Sequence, residues 1–348
     1  MLAIVERMNE KNANSANREF TYLYKQKLRT QFSLDGRWAS ILAQYTRVAA
    51  DVVALDSELP LKSRDTIETI SGDIPKLGLK LYLTEKQMKD VDAMIVQNVP
   101  LQTIIDKIFN DVARCIEAVW ERIEDIFLSE LSSGVGVSER SNGTGVRIDM
   151  NFYEENQFLV SDLWNTATST PLDDIQKVFD KAEEDGNTIT EIYLDETALQ
   201  LLYRNNQVRN QYAFDKGIAL TAGTTVPVLD FETVSGVFMK KWGVKLTRVN
   251  RTIKTEINGD KKSHKPWKKG GMTFVCDEEL GDLVWTTLAE ENRPVNGVVY
   301  QKADEFILAK KYSTTDPLRE FTAAEAMVVP VLNNVDRIYT LDTQTVQE

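Results

Sequence analysis

From Leu101 to Leu131 the apolar side chains Leu101, Ile104, Ile105, Ile108, Phe109, Val112, Ile116, Val119, Trp120, Ile123, Phe127 and Leu131 return at steps of three and four. Asp106, Lys107, Asp111, Arg114, Glu117, Glu121 and Glu124 fill the gaps between them. This spacing predicts one amphipathic helix of about 30 residues, roughly 45 Å long, with Ile108, Val112, Ile116 and Trp120 on its core face. Cys115 sits beside that stripe and reads as a small buried residue. Upstream, Thr84 and Gln87 have the spacing of a capping box, so a helix is expected to open at Thr84. Pro100 interrupts it and is tolerated in the first turn of a restarted helix.

Elsewhere the period falls to two. Arg47 to Leu55 reads as a strand, and Leu79, Leu81 and Leu83 alternate with Lys80 and Tyr82 in a second. The stretch between them, punctuated by Pro60 and Pro75, has too few large apolar groups to fold on its own account. A long projecting two-stranded arm is therefore expected, reaching a neighbouring subunit. Leu59, Leu61, Ile67 and Ile70 are its apolar contacts and Lys62, Arg64, Asp65 and Glu68 its charge partners. Residues 1–50 show no clean period and read as an arm with some helix.

After the long helix, Gly134, Gly136, Gly143 and Gly145 mark a loop, followed by a strand over Val146–Phe152. Thr170-Pro171-Leu172-Asp173-Asp174 opens a helix with Thr170 as N-cap, and Gly186 ends it. A strand over Thr190–Leu194 and a helix over Glu196–Asn206 come next. Further strands are predicted at Val226–Leu229, Gly236–Met239, Val244–Val249, Met272–Cys276, Phe306–Ala309, Val328–Leu332 and Arg337–Leu341. The class is α+β.

Composition narrows the chemistry. The 348 residues carry 41 Lys and Arg against 53 Asp and Glu, a net charge of −12, which argues against a chain-wide nucleic-acid surface. Cys115 and Cys276 cannot make a disulfide framework, and with the single His264 they offer no zinc ligand set. Gly134-Val135-Gly136 leaves a helix instead of starting one, so a phosphate loop is not expected. Acidic pairs such as Asp173-Asp174 and Glu290-Glu291 read as solvated turns. No enzyme activity, metal or cofactor is expected. The early charge at Glu6 and Arg7 is unlike a secretory signal, and no apolar run is long enough to span a bilayer, so a soluble intracellular chain with reduced thiols is expected. Lys261, Lys262, Lys265, Lys268 and Lys269 surround His264 and Trp267 in what reads as a solvated loop. Lys265, Trp267 and Lys268 are expected to form a subunit contact.

The order of these parts resembles the Hong Kong 97-type fold of tailed-bacteriophage major capsid proteins, and more narrowly the lambda-type major capsid protein E family. The resemblance is carried by the arm over 51–83 leading into the long helix, Ile148-Asp149-Met150 with Leu163-Trp164, and Pro171 to Ile175. It continues through Ile192-Tyr193-Leu194 with Leu201 to Asn206, Met272 to Val275 with Leu280-Gly281, and Glu290-Glu291. It ends on Asp316-Pro317 followed by Val329-Pro330-Val331-Leu332-Asn333-Asn334 through Asp342. It implies an N-terminal arm (1–50), an extended loop (51–83), a peripheral domain with a spine helix (84–160), an axial domain (161–325) and C-terminal strands returning to the peripheral domain (326–348). The implied function is a shell subunit assembling into hexamers and pentamers of an icosahedral head around double-stranded DNA, held without sequence-specific binding. A separate scaffolding protein, a portal and a decoration protein are the implied partners, and no membrane is involved. Assembly in the host cytoplasm and a final place in the virion follow from the same resemblance. An encapsulin-like cellular compartment is the alternative within this fold, and an α/β ligand-binding or hydrolase module on a helical stalk the alternative outside it.

Overall fold

The computed structural model describes residues 22–43, 67–98, 110–138, 146–218, 228–257 and 259–347. In chain order the first elements are α1 (Tyr24–Lys27), β1 (Leu28–Phe32), β2 (Arg37–Ala43), β3 (Ile67–Asp73), β4 (Lys76–Thr84), α2 (Glu85–Val96) and α3 (Asn110–Ser133). Then follow β5 (Val135–Ser138), β6 (Val146–Asp149), β7 (Gln157–Val160), α4 (Pro171–Glu184), β8 (Glu191–Leu194), α5 (Glu196–Arg204), α6 (Asn206–Asp215) and α7 (Phe231–Trp242). The last are β9 (Lys245–Arg248), β10 (Ile253–Ile257), β11 (Asp260–His264), β12 (Gly271–Val275), β13 (Gly281–Thr286), α8 (Ala289–Asn292), β14 (Val299–Ala303), β15 (Ile307–Thr315), β16 (Leu318–Leu332) and β17 (Ile338–Val346). They form two units, each drawn from three stretches of chain. The first holds residues 1–39, 71–127 and 282–331, the second 40–70, 128–281 and 332–348.

The first unit is a six-stranded sheet, ordered β1-β13-β16-β15-β14 with β4 added against β16. β16 is the organiser: its 15 residues pair antiparallel with β15 through Leu308 opposite Glu325, and with β4 from Lys76 opposite Met327 to Thr84 opposite Arg319. The first turns of α3 bury Val112, Ile116, Val119, Trp120 and Ile123, and the Cys115 thiol donates to the Thr322 carbonyl at 3.6 Å. Thr84 and Gln87 form the capping box of α2. Ile108 lies outside the described residues.

The second unit contains a five-stranded sheet, β7-β17-β12-β8-β9, with β12 buried along its whole length. β17 runs antiparallel to β12 and parallel to β7. Ile175, Val178, Leu199, Leu202 and Phe238 from α4, α5 and α7 share one core with Ile192, Phe274 and Leu341. The caps explain the helix ends. Asp195 accepts the Ala198 amide at 2.8 Å at the start of α5. Pro171 opens α4, but the Thr170 side chain does not cap it; the Leu172 amide donates to Gln207 instead, at 2.8 Å.

Four expectations are corrected. Gly236–Met239 is helix, not strand, because Asp230 caps α7 through the Thr233 amide at 2.9 Å and Val234, Val237 and Phe238 form its buried face. The chain division differs: residues 282–331 join the first part of α3, and β17 completes the sheet of the second unit, where Ile338, Tyr339 and Leu341 are buried. The strand at 79–83 is not the second strand of the arm. It lies within β4, held by nine backbone positions of β16, whereas β3 pairs with β2 as a two-stranded ribbon. The predicted strand over 47–55 lies outside the described residues. Finally, the first part of the lysine-rich segment is strand and not loop: Lys261 and Lys262 lie in β11, which pairs with β10 so that His264 stands opposite Ile253, whereas Lys265, Lys268 and Lys269 follow it outside any strand.

Candidate assembly surfaces

Segments that reach along a subunit must be anchored to it, and in the first unit three anchors are visible. Residues 22–27 sit on α3. The Leu23 and Tyr24 amides donate to the two Glu124 carboxylate oxygens at 3.0 and 3.1 Å, and the Tyr22 hydroxyl donates to Glu121 at 3.1 Å. The Lys25 ammonium lies 3.7 Å from the centre of the Trp120 ring and pairs with Asp304 at 3.2 Å. At the base of the ribbon, the Ile74 amide donates to the Gly36 carbonyl at 3.0 Å, and Gly72 passes under Trp38 so closely that a Cβ would stand 2.8 Å from the indole nitrogen. β4 is fixed by a chain of charges. Lys76 pairs with Glu325 at 2.6 Å, and Lys310 bridges Glu325 and Glu290 at 2.9 and 2.8 Å. Burial opposes the charge of Glu325, but its hydrogen bonds from Lys76 and Lys310 outweigh that and hold its carboxyl below the usual range.

β4 also shows an open side. Among the described residues its second edge has no strand partner, and Leu79 and Tyr82 are exposed along it. An edge of this length with alternating apolar side chains is a template for strand addition. Of the residues expected on the arm, Leu59, Leu61, Lys62, Arg64 and Asp65 lie outside the described residues. Ile67, Glu68 and Ile70 fall in β3, and Ile70 is half-buried.

The second unit contributes two surfaces. In the hairpin, β11 is exposed along its whole length and carries Lys261 and Lys262, with Lys254 on β10. Lys261 lies 3.7 Å from Glu256, an exposed pair of about 0–1 kcal/mol that leaves the strand free to contact other groups. Lys265 is exposed and donates to Asn250 at 3.3 Å. Trp267 is corrected: only 5 % exposed, it donates to the Gly271 carbonyl at 2.9 Å and belongs to the interior of its own subunit. Lys268 is likewise engaged at home, its amide on Ser132 at 3.0 Å and its ammonium on Asp342 at 3.0 Å.

The other surface was not anticipated. Around the ends of α6 and α7, Phe214, Ile218, Val228 and Met239 are exposed beside a groove of about 420 Å³ lined by Tyr212, Asp215, Glu232 and Lys240. Reading 236–239 as a strand concealed it, because only a helix places Met239 on the solvent side while Val237 and Phe238 face the core. Chemically these surfaces offer backbone edges, apolar patches and lysines. Both cysteines are buried, and burial pushes each thiol up to about 12, away from nucleophilic reactivity. His264 ends β11 among lysines, and no group of three or more His, Cys, Asp or Glu that could hold a metal gathers among the described residues.

A family model described as phage major capsid protein E matches residues 42–343. Among solved structures, a prophage capsid protein from E. coli CFT073 is 15 % identical with a TM-score of 0.53, over 80 % of this chain and 79 % of that one. A phage-related protein from Bordetella bronchiseptica RB50 is 11 % identical with a TM-score of 0.52, over 98 % and 96 %. The cyanophage A-1(L) capsid subunit is 10 % identical with a TM-score of 0.50, over 95 % of each chain. A comparison with curated proteins gives no match.

Proposed function

The chain belongs to the phage major capsid protein E family, and from that membership we propose that its copies assemble as hexamers and pentamers of an icosahedral head that encloses double-stranded DNA. It is a shell subunit of a phage head with the Hong Kong 97-type fold, and its role is structural, not enzymatic. Its place is the virion capsid. The observation that carries the reading is the family match over residues 42–343. The net charge of −12 supports a container that does not grip its genome. A separate scaffolding protein, a portal and a decoration protein complete the proposed partners, with assembly in the host cytoplasm.

The proposed contacts follow from the surfaces. The segment with Leu59, Leu61, Lys62, Arg64 and Asp65, which connects β2 to β3 in sequence and lies outside the described residues, is proposed as a contact with a neighbouring subunit, together with the open edge of β4 and the Lys261, Lys262 and Lys265 side of the hairpin. Repetition of such interfaces around closed symmetry supplies the stability of the shell. Negative-stain electron microscopy of the protein expressed alone and with its neighbouring genes tests the reading. Closed shells are the expected result. Replacing residues 44–66 by a short Gly-Ser linker should leave a folded subunit that forms no stable shell, and normal particles from that variant would refute the arm contact.

A further inference from the structure

Glu130, in the last turn of α3, is 0 % exposed, and neither of its carboxyl oxygens has a hydrogen-bond partner among the described residues. Gly136 of β5 lies directly against it: a Cβ there would stand 2.6 Å from Glu130 Oε1 and 2.7 Å from its Cγ. This approach arises where the chain turns back from the helix. Gly134, at φ +74°, donates its amide to the Glu130 carbonyl at 2.7 Å, and β5 then pairs with β6 so that Gly136 stands opposite Ile148. Ile148 and Met150 are buried, so the hairpin closes over the acid and keeps water from it.

Among the described residues an ionised carboxylate here would have no donor, and, fully buried, it would face the negative end of the helix dipole. Among the described residues no charge compensates it. On the hairpin, Arg147 and Asp149 are exposed and pair with each other at 3.5 Å. On α3, Asp125 is held by Arg122 at 2.7 Å. On the segment bonded to the last turn of α3, Lys268 is held by Asp342 at 3.0 Å. Burial alone keeps the Glu130 carboxyl well above the usual range.

We propose that Glu130 is a proton-dependent latch: its neutral acid is the seat on which the β5–β6 hairpin closes, and loss of the proton requires the hairpin to lift until water reaches the carboxylate. The closed form binds the proton more tightly than the open form. The latch is therefore fully closed below the ordinary glutamate pKa and weakens as pH rises towards the closed-state value. Between those limits the ratio of open to closed hairpin increases by about tenfold per pH unit.

Amide hydrogen exchange of residues 135–138 and 146–149 in the full chain, from about pH 5 to about pH 8, reads this directly, compared at each pH with Glu130→Gln and Glu130→Leu so that base-catalysed exchange cancels. Protection in either variant relative to the unaltered chain should climb by about tenfold per unit. A ratio that stays constant with pH overturns the proposal. Infrared spectra of the unaltered chain give a second reading that needs no variant. A protonated-carboxyl band at neutral pH that fades as the hairpin opens supports the latch, and its absence at neutral pH overturns it.

Discussion

Replacing Trp120 by alanine tests how the N-terminal segment is tied to the long helix. The indole is only 4 % exposed, packs edge-on against Tyr22 with ring centres 5.9 Å apart, and carries the Lys25 ammonium on its face. Truncating a buried tryptophan to alanine costs about 3–5 kcal/mol through lost transfer energy and the cavity left behind. At about 2–4 °C per kcal/mol, the unassembled subunit should melt roughly 6–20 °C lower. Trp120→Phe should cost under about 1.5 kcal/mol, since it keeps a ring and removes a buried indole N–H that has no acceptor among the described residues. A double-mutant cycle with Lys25→Ala isolates the contact between ammonium and ring, because the Asp304 pair is lost in both arms of the cycle and cancels. The coupling should be about 0.5–2 kcal/mol, at the upper end because Lys25 is largely shielded from water. Melting of Trp120→Ala with the unaltered protein, or a coupling of zero, would mean that residues 22–27 do not rest on this helix in solution.

Other consequences can be checked independently. Gly72→Ala would force a Cβ against the Trp38 indole and should destabilise the ribbon by about 1–3 kcal/mol, seen as faster proteolysis within residues 67–73. Glu325 contributes stability above its unfolded pKa that disappears as pH falls through its lowered folded value, so acid should loosen β4 in the unaltered chain and have less effect on Glu325→Gln, followed by amide exchange of residues 76–84. Lys261→Glu with Lys262→Glu should leave the subunit's melting temperature unchanged and slow shell formation measured by light scattering; unchanged assembly would make the hairpin mere solvated surface. With thiols pushed up to about 12 by burial, neither Cys115 nor Cys276 should react with a disulfide reagent at about pH 8 until the chain unfolds.

The local signals in the chain were legible because they depend on neighbours in sequence. The three-and-four spacing of Val112, Ile116, Val119, Trp120 and Ile123 translated into the buried face of α3, and Thr84 with Gln87 into a real capping box. α7 was misread from its Val-Phe-Met run, although Asp230 and the left-handed Gly243 at its two ends carried the helix signal. What distant strands do was hidden. Nothing local to Leu79, Leu81 and Leu83 says that their partner is β16, and nothing in the lysine-rich segment shows that Trp267 turns inward to bond Gly271. The charge chain on Glu325 and the burial of Glu130 without a hydrogen-bond partner among the described residues depend on three-dimensional neighbours in the same way.

The discontinuity of the two units has a consequence for the order of events during synthesis. β4 is made long before its partner, since Thr84 waits for Arg319, and the sheet of the second unit lacks β17 until residues 338–346 have been made. The first unit therefore cannot close before residue 331 has been made, nor the second before β17, and until β16 arrives the leucines of β4 lack their partner strand. Pairings this far apart in sequence fold slowly and expose strand edges meanwhile. The nascent chain thus passes through a period in which β4 could join the wrong partner, so the yield of competent subunits should depend on the rate of translation and on the concentration of chaperones that hold the chain until β16 and β17 have been made.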